Sequence, residues 1–204
     1  MSFMIGHKFP SVRVGAVNPD GEIDNDFSVT EHGKGGYTVV FFYPLDFTFV
    51  CPTEIVAFHK SVKQFEERGC KVVAASVDSV FSHAAWRRTA LNDGGIGEVD
   101  FPMVSDMQHK LSSELGILNP DGVTYRASYL LDKEGVVRHM VINDLPLGRS
   151  VNEMLRMVDA LAFHEQHGEV CPANWKNGEE GMNADRESTG AYLAKNESTP
   201  TAAA

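Results

Sequence analysis

The sequence predicts an α/β fold with a mixed central sheet, helices on both of its faces, and a C-terminal arm. Three observations carry this. Apolar, β-branched runs alternate with stretches in which apolar residues recur every three to four positions, in the order strand, helix, strand, helix. Two later runs, residues 126–131 and 136–142, are joined by Asp132-Lys-Glu-Gly135, a hairpin signal that brings antiparallel pairing into the sheet. A length of 204 residues with 43 % apolar content suits one full-sized core with an extension.

In chain order, residues 12–17 read as a short strand closed by the turn Asn18-Pro-Asp-Gly21. A loop containing Gly33, Gly35 and Gly36 leads to Tyr37-Thr-Val-Val-Phe-Phe-Tyr43, a run apolar enough to be buried on both faces, and Pro44 ends it. Ile55, Phe58, Val62 and Phe65 then recur at helical spacing behind Cys51-Pro52, and Gly69 breaks the helix. Residues 71–77 form a second buried strand, 80–91 a helix, 94–97 a glycine-rich loop, 101–104 a short strand and 108–115 a helix stopped by Gly116. After the hairpin, Ser150-Val-Asn-Glu153 is a capping box, followed by one apolar stripe of Val151, Met154, Leu155, Val158, Leu161 and Ala162, with Gly168 at the end. Residues 1–168 are therefore expected to form the domain and 169–204 an arm, in which 182–195 make a weak helix and 196–204 are disordered.

Composition narrows the function. A net charge of −10 without a Lys/Arg block argues against nucleic acid and anionic membranes as main partners. No run of about 18 apolar residues could span a bilayer, and the first ten residues lack a secretory pattern, so the expected location is cytoplasmic. Three widely spaced cysteines, Cys51, Cys70 and Cys171, make a poor disulfide framework and show no zinc-ligand spacing. Neither metal nor cofactor is expected. The eight histidines are scattered, and His164 and His167 suit a helix C-terminus without any ligand.

Cys51 lies at the start of a helix that follows a central strand, a place that favours a thiolate. Pro52 fits the first helical turn, and Glu54 puts a carboxylate there. Glu54 also stands where a dithiol motif beginning at Cys51 would need cysteine, which argues against a dithiol–disulfide exchanger. In Pro44-x-x-x-Thr48-x-x-Cys51, the hydroxyl can curl toward the sulfur or toward what the sulfur attacks, and the proline can wall the pocket.

Phe42-Tyr-Pro-Leu-Asp-Phe-Thr-Phe-Val-Cys-Pro-Thr-Glu54 closely resembles the active-site segment of the typical two-cysteine peroxiredoxins, the group that includes the alkyl hydroperoxide reductase C-type enzymes. The resemblance continues through Gly69-Cys-Lys-Val-Val-Ala-Ala-Ser-Val-Asp78, Ser82-His-Ala-Ala-Trp86, Tyr125-Arg-Ala-Ser-Tyr-Leu-Leu-Asp132, Gly148-Arg-Ser-Val-Asn-Glu153 and His167-Gly-Glu-Val-Cys-Pro-Ala-Asn-Trp175. It implies a thioredoxin-like fold and a thiol peroxidase that reduces hydrogen peroxide and organic hydroperoxides.

For a thiol in general, a pKa of about 8.5 leaves roughly 3 % ionised at pH 7, and a pKa of about 6 gives roughly 90 %. That gain amounts to only about 2 kcal/mol of barrier, so groups that hold the peroxide must supply the rest. The resemblance assigns them. It places Arg126 beside the sulfur of Cys51, with Thr48, the Cys51 backbone N–H and Pro44 completing the pocket. Glu54 and Arg149 would orient Arg126, or else be a solvated helix-start carboxylate and a surface charge. Cys51 would become a sulfenic acid, resolved by Cys171 as a disulfide and recycled by thioredoxin or a flavoprotein disulfide reductase. The residues alone leave open whether Cys171 acts within one chain. The resemblance implies a partner chain, a homodimer, and a ring of five dimers. Cys70 reads as inert core, and Trp86 and Trp175 as packing residues.

A second reading, from a different class, is a ring-forming holdase chaperone or a redox-signalling relay. Such a protein needs none of Pro44, Thr48, Cys51 and Arg126, all of which are present. The family's members that are sensitive to overoxidation have a Gly-Gly-Leu-Gly loop and a C-terminal Tyr-Phe pair. Here these are Gly94-Gly-Ile-Gly97 and Tyr192-Leu193, which implies a looser cover and intermediate sensitivity.

Overall fold

The structure is a computed structural model that describes residues 4–196. The chain forms two compact units, Met1–Leu155 and Arg156–Ala204. The first holds a seven-stranded sheet built from β1 (Val14–Val17), β2 (Ile23–Phe27), β3 (Tyr37–Phe42), β4 (Cys70–Ser76), β5 (Met103–Ser105), β6 (Arg126–Leu131) and β7 (Val137–Asn143). Their order across the sheet is β2-β1-β5-β4-β3-β6-β7. The β3–β4 and β4–β5 pairs are parallel and the other pairs antiparallel, which makes the sheet mixed as expected.

The helices of this unit are α1 (Val29–Gly33), α2 (Cys51–Glu66), α3 (Val80–Arg88) and α4 (Lys110–Leu115); α5 (Val151–His167) begins in it. Strand β3 is buried at all six positions and serves both faces of the sheet by alternation. Val40 and Phe42 enter a core with Val29 of α1, Leu111 and Leu115 of α4, and Tyr129. Phe41 points the other way, stacked on Phe58 of α2 at 4.1 Å between centroids, with Phe65 and Phe101 extending the aromatic layer. A side chain of this size contributes about 1.5–3 kcal/mol on full burial. This aromatic layer anchors α2 against the sheet.

Several boundaries differ from the sequence reading. Residues 23–27 form the edge strand β2, whose Ile23-Asp-Asn-Asp-Phe27 exposes most of its side chains and so shows no apolar alternation. Residues 29–33 form the one-turn helix α1, which takes in Gly33 of the expected loop and is capped by Ser28, whose hydroxyl accepts from the Glu31 backbone N–H. Helix α3 stops at Arg88, and a separate 3-10 turn covers Leu91–Asp93. The Ser150 cap of α5 is present, with its hydroxyl accepting from the Glu153 N–H at 3.2 Å.

In the second unit, α5 ends at His167 and is followed by Gly168, whose φ of +71° is one that glycine adopts at little cost. Trp175 is buried against Phe163 at 4.9 Å. Helix α6 (Arg186–Asn196) buries none of its residues. It includes Asn196, which the sequence reading assigned to a disordered tail; the remainder of that tail lies outside the described residues. Among the described residues, no helix is long and apolar enough to cross a membrane.

Candidate active site

Cys51 is the first residue of α2, nine positions beyond the end of β3, and is almost completely buried. Its preceding residue, Val50, provides no side-chain cap, so the first N–H groups of the helix depend on other partners. Glu54 lies one turn further along, on the face of α2 that carries Cys51. Opposite them stands the start of β6. Ser128 pairs with Phe41 in antiparallel register, so Arg126, two residues earlier, lies beyond the end of β3 and beside the start of α2. Antiparallel β6 thus delivers a cation to the place where the parallel strand gives way to its helix.

The arginine is fixed on three sides. Its Nη1 donates to Cys51 Sγ at 3.4 Å and to Glu54 Oε2 at 2.7 Å, while its Nε donates to the Leu145 carbonyl at 2.6 Å. Arg149 grips the same carboxylate: its Nε and backbone N–H donate to Oε1 at 2.8 and 2.9 Å, and its Nη2 to Oε2 at 2.9 Å. The Arg149 Nη1 reaches the Phe42 and Ala127 carbonyls at 2.8 and 2.7 Å, bridging β3 and β6. Its guanidinium also lies over the Phe41 ring, 5.4 Å from the centroid.

All three charged side chains are at most 5 % exposed. Glu54 is therefore a buried carboxylate at the centre of a charge cluster, and Arg149 a buried cation, which removes the solvated alternatives for both. Burial alone would raise the Glu54 pKa; hydrogen bonds and charge from Arg149, with the charge of Arg126, outweigh it and hold the carboxyl below its usual value. Two cations against one buried carboxylate leave one positive charge facing the sulfur.

Pro44 is buried at the end of β3, and Thr48 is half-buried in the loop that follows. The Thr48 hydroxyl donates to the Leu45 carbonyl at 2.8 Å, which commits its proton and leaves its oxygen lone pairs able to accept. Pro44, Thr48 and Cys51 thus share one short connection, and hydrogen bonds join Cys51, Arg126, Glu54 and Arg149.

Cys70 begins β4, buried, and burial pushes its pKa up to about 12. Cys171 belongs to the second unit. It is half-buried, its Sγ donates to the Ala160 carbonyl at 3.5 Å, and burial raises its pKa against the opposing charge of Arg156. All three cysteines are thiols. Among the described residues, no group of three or more His, Cys, Asp or Glu side chains is placed to hold a metal ion.

Sequence reasoning missed two features. The Leu145 carbonyl that fixes Arg126 carries no side-chain signal. A second buried polar cluster, Tyr43, Asp46 and His83, joins residues up to forty positions apart. A histidine within a helical stretch gave no hint that it would be fully buried.

Known proteins resemble this chain along nearly its whole length. Residues 5–140 match the profile of the AhpC/TSA family, and residues 160–195 match that of the C-terminal domain of 1-Cys peroxiredoxin, although here the matched segment includes Cys171. The alkyl hydroperoxide reductase C of Buchnera aphidicola subsp. Schizaphis graminum is 47 % identical over 193 residues, covering 94 % of this chain and 98 % of that protein. The alkyl hydroperoxide reductase C of Helicobacter pylori is 48 % identical over 188 residues, covering 92 % and 94 %. Among solved structures, the reduced 2-Cys peroxiredoxin of Plasmodium vivax superposes with a TM-score of 0.91 at 40 % identity, covering 95 % of this chain and all of that one. A thioredoxin-like sheet, a cysteine at a helix start and near full-length likeness to such proteins together establish that the chain belongs to the AhpC/TSA family of peroxiredoxins.

Proposed function

We propose that this peroxidase reduces hydrogen peroxide and organic hydroperoxides with Cys51 as the attacking sulfur and Cys171 as the resolving one. The observation that carries the reading is the Arg126 Nη1, 3.4 Å from Cys51 Sγ and tied to a buried Glu54. A guanidinium in a dry site sets a fixed positive charge beside the sulfur and offers a donor to a bound peroxide without needing to reorganise.

In the step proposed, the Cys51 thiolate attacks one peroxide oxygen in line with the O–O bond. The S–O bond forms with the sulfur electron pair as the O–O bond breaks, and its electron pair leaves on the distal oxygen as alkoxide or hydroxide, which takes up a proton. Arg126 and the Cys51 backbone N–H stabilise the charge developing on the oxygens, and the Thr48 oxygen accepts from the hydroperoxide O–H. Pro44 keeps water from the sulfur. Cys51 is left as a sulfenic acid, which condenses with the Cys171 thiol to form a disulfide and water. A dithiol reductant then restores both thiols: thioredoxin or a flavoprotein disulfide reductase.

The resolving thiol would come from a partner chain in a homodimer, with dimers gathering five to a ring. The reading places the enzyme in the cytoplasm, where thiols are kept reduced. The deciding experiment is peroxide consumption by the purified chain with thioredoxin and its reductase. Turnover is expected for wild type and none for Cys51→Ser, and a Cys51→Ser protein as active as wild type would overturn the assignment.

A further inference from the structure

The loop between β3 and α2 is held from below by residues that the proposed chemistry does not use. Its outward side chains gain little from the core: Leu45, Phe47 and Phe49 are 36, 51 and 91 % exposed. Phe47 also has a φ of +53°, a left-handed conformation that a bulky residue keeps only when its surroundings impose it. Asp46 is the loop's inward residue. Its Oδ1 accepts from the Tyr43 hydroxyl at 2.8 Å, and its Oδ2 accepts from the Ser82 hydroxyl at 2.7 Å. Its carboxylate meets His83 Nδ1 at 2.9 Å, and its backbone N–H donates to Asp78 at 2.8 Å.

His83 links this loop residue to the sheet. Its Nε2 is 3.1 Å from the Val104 carbonyl, and because a carbonyl only accepts, Nε2 carries a hydrogen. Its Nδ1 meets the Asp46 carboxylate at 2.9 Å. The imidazole is completely buried and spans from β5 to the loop with both nitrogens engaged. Drawing Asp46 away would break the bond to Nδ1 together with those from the Tyr43 and Ser82 hydroxyls, leaving Nδ1 only the longer 3.3 Å contact with Tyr43, and breaking buried bonds to a carboxylate is costly.

We propose that His83 is a positioning residue for the reactive loop: acting through Asp46, it holds residues 44–50 closed and so sets how long Cys51 stays in its pocket. The inference rests on reading Cys51 as the attacking sulfur. Cys51 is the first helical residue, so moving it to meet a resolving thiol unwinds the first turn and carries the preceding loop with it. A firm loop prolongs the sulfenic acid and its exposure to a second peroxide; a loose loop hastens the disulfide.

The test uses two amides that each replace one ring nitrogen. In His83→Asn the amide nitrogen takes the place of Nδ1 and keeps the bond to Asp46; in His83→Gln it takes the place of Nε2 and loses that bond. Hydrogen exchange of the 45–50 amides in the reduced full-length protein is expected to be about tenfold faster in His83→Gln, the effect of losing one hydrogen bond to a charged group. His83→Asn should lie nearer to wild type. After peroxide treatment, His83→Gln should also yield less sulfinic and more disulfide Cys51 than His83→Asn. Equal exchange in the two variants, or no change in either, would overturn the proposal. If neither variant folds, Ser82→Ala decides: it removes another donor to the same carboxylate from a half-buried position. Faster loop exchange there supports the clamp, and unchanged exchange overturns it. Because exchange does not depend on turnover, a wild type that consumes no peroxide would sink the peroxidase reading and leave the clamp to be judged on exchange alone.

Discussion

Glu54 and Arg149, ninety-five positions apart, are joined by three hydrogen bonds, with the Arg149 Nε, Nη2 and backbone N–H all donating to one carboxylate. The pair fixes the Glu54 oxygens, and Glu54 Oε2 in turn fixes the Arg126 nitrogen that faces Cys51. Glu54→Gln keeps the shape but removes the charge, leaving two buried guanidinium groups without a counter-ion. The expected result is a loss of about 3 kcal/mol of stability, the order seen when one member of a buried pair is removed, together with slower peroxide reduction. Urea unfolding and the rate of peroxide consumption at equal folded concentration check both. A variant as stable and as fast as wild type would show that the cluster does not support the site.

The same carboxylate gives a pH signature. Its folded-state pKa lies below the ordinary value of 4.5, so its stabilising contribution is complete above about pH 4.5 and is lost as pH falls through the lower, folded value. The urea midpoint should therefore drop more steeply below pH 4.5 in wild type than in Glu54→Gln. Parallel curves for the two proteins would rule out Glu54 as the source.

The three thiols should behave differently. Cys51→Ser is expected to abolish turnover, and Cys171→Ser to stop recycling by thioredoxin after one equivalent of peroxide. Cys70→Ser should change turnover little, because Cys70 is buried at the start of β4 and burial pushes its pKa up to about 12. Alkylation of the folded wild type at pH 8 should spare Cys70, and mass mapping of the labelled thiols reads this directly.

Much of this was legible in the sequence because the informative signals are local. The six buried positions of β3, the start of α2 at Cys51 and the Asp132–Gly135 hairpin turn each follow from a short pattern. Strand β2 was not legible: Asp24, Asn25 and Asp26 lie at the sheet edge, across an irregularity in its pairing with β1, without burying an apolar face. Helix α1 is too short for periodicity. The site divides in the same way. Cys51 and Glu54 sit one turn apart on one helix. Arg126 joins them only because β6 runs antiparallel to β3, a fact of topology. The bond from His83 to Asp46 spans thirty-seven positions and needs the folded sheet to exist.

If Cys51 and Cys171 resolve across a dimer, peroxide-treated wild type should run as a disulfide-linked dimer on a non-reducing gel. Cys51→Ser and Cys171→Ser should each remain monomeric. A wild-type band that stays monomeric while both thiols disappear would mean that the bridge forms within one chain.

The last expectation concerns overoxidation and the C-terminal helix. Anything that slows release of Cys51 from its helix start lengthens the life of the sulfenic acid, and a second peroxide then converts it to sulfinic acid. The Gly94–Gly97 loop is firmly built: Trp86 Nε1 donates to the Gly94 carbonyl at 2.8 Å, and Ile96 is buried. At Gly95 an added Cβ would meet the Thr89 carbonyl oxygen at 2.0 Å, so only glycine fits there. Helix α6 is the weaker element. It buries none of its residues within its own unit, and Leu193, where the resemblance leads one to expect an aromatic ring in a sensitive enzyme, is 61 % exposed. Leucine keeps apolar area and loses the flat face, so any cover it gives should be looser. Removing residues 191–204 is expected to make the enzyme more resistant, with the full-length form of intermediate sensitivity. Intact mass after turnover in millimolar-range peroxide decides. If full-length and truncated proteins gain two oxygens on Cys51 at the same rate, α6 does not act as a lid.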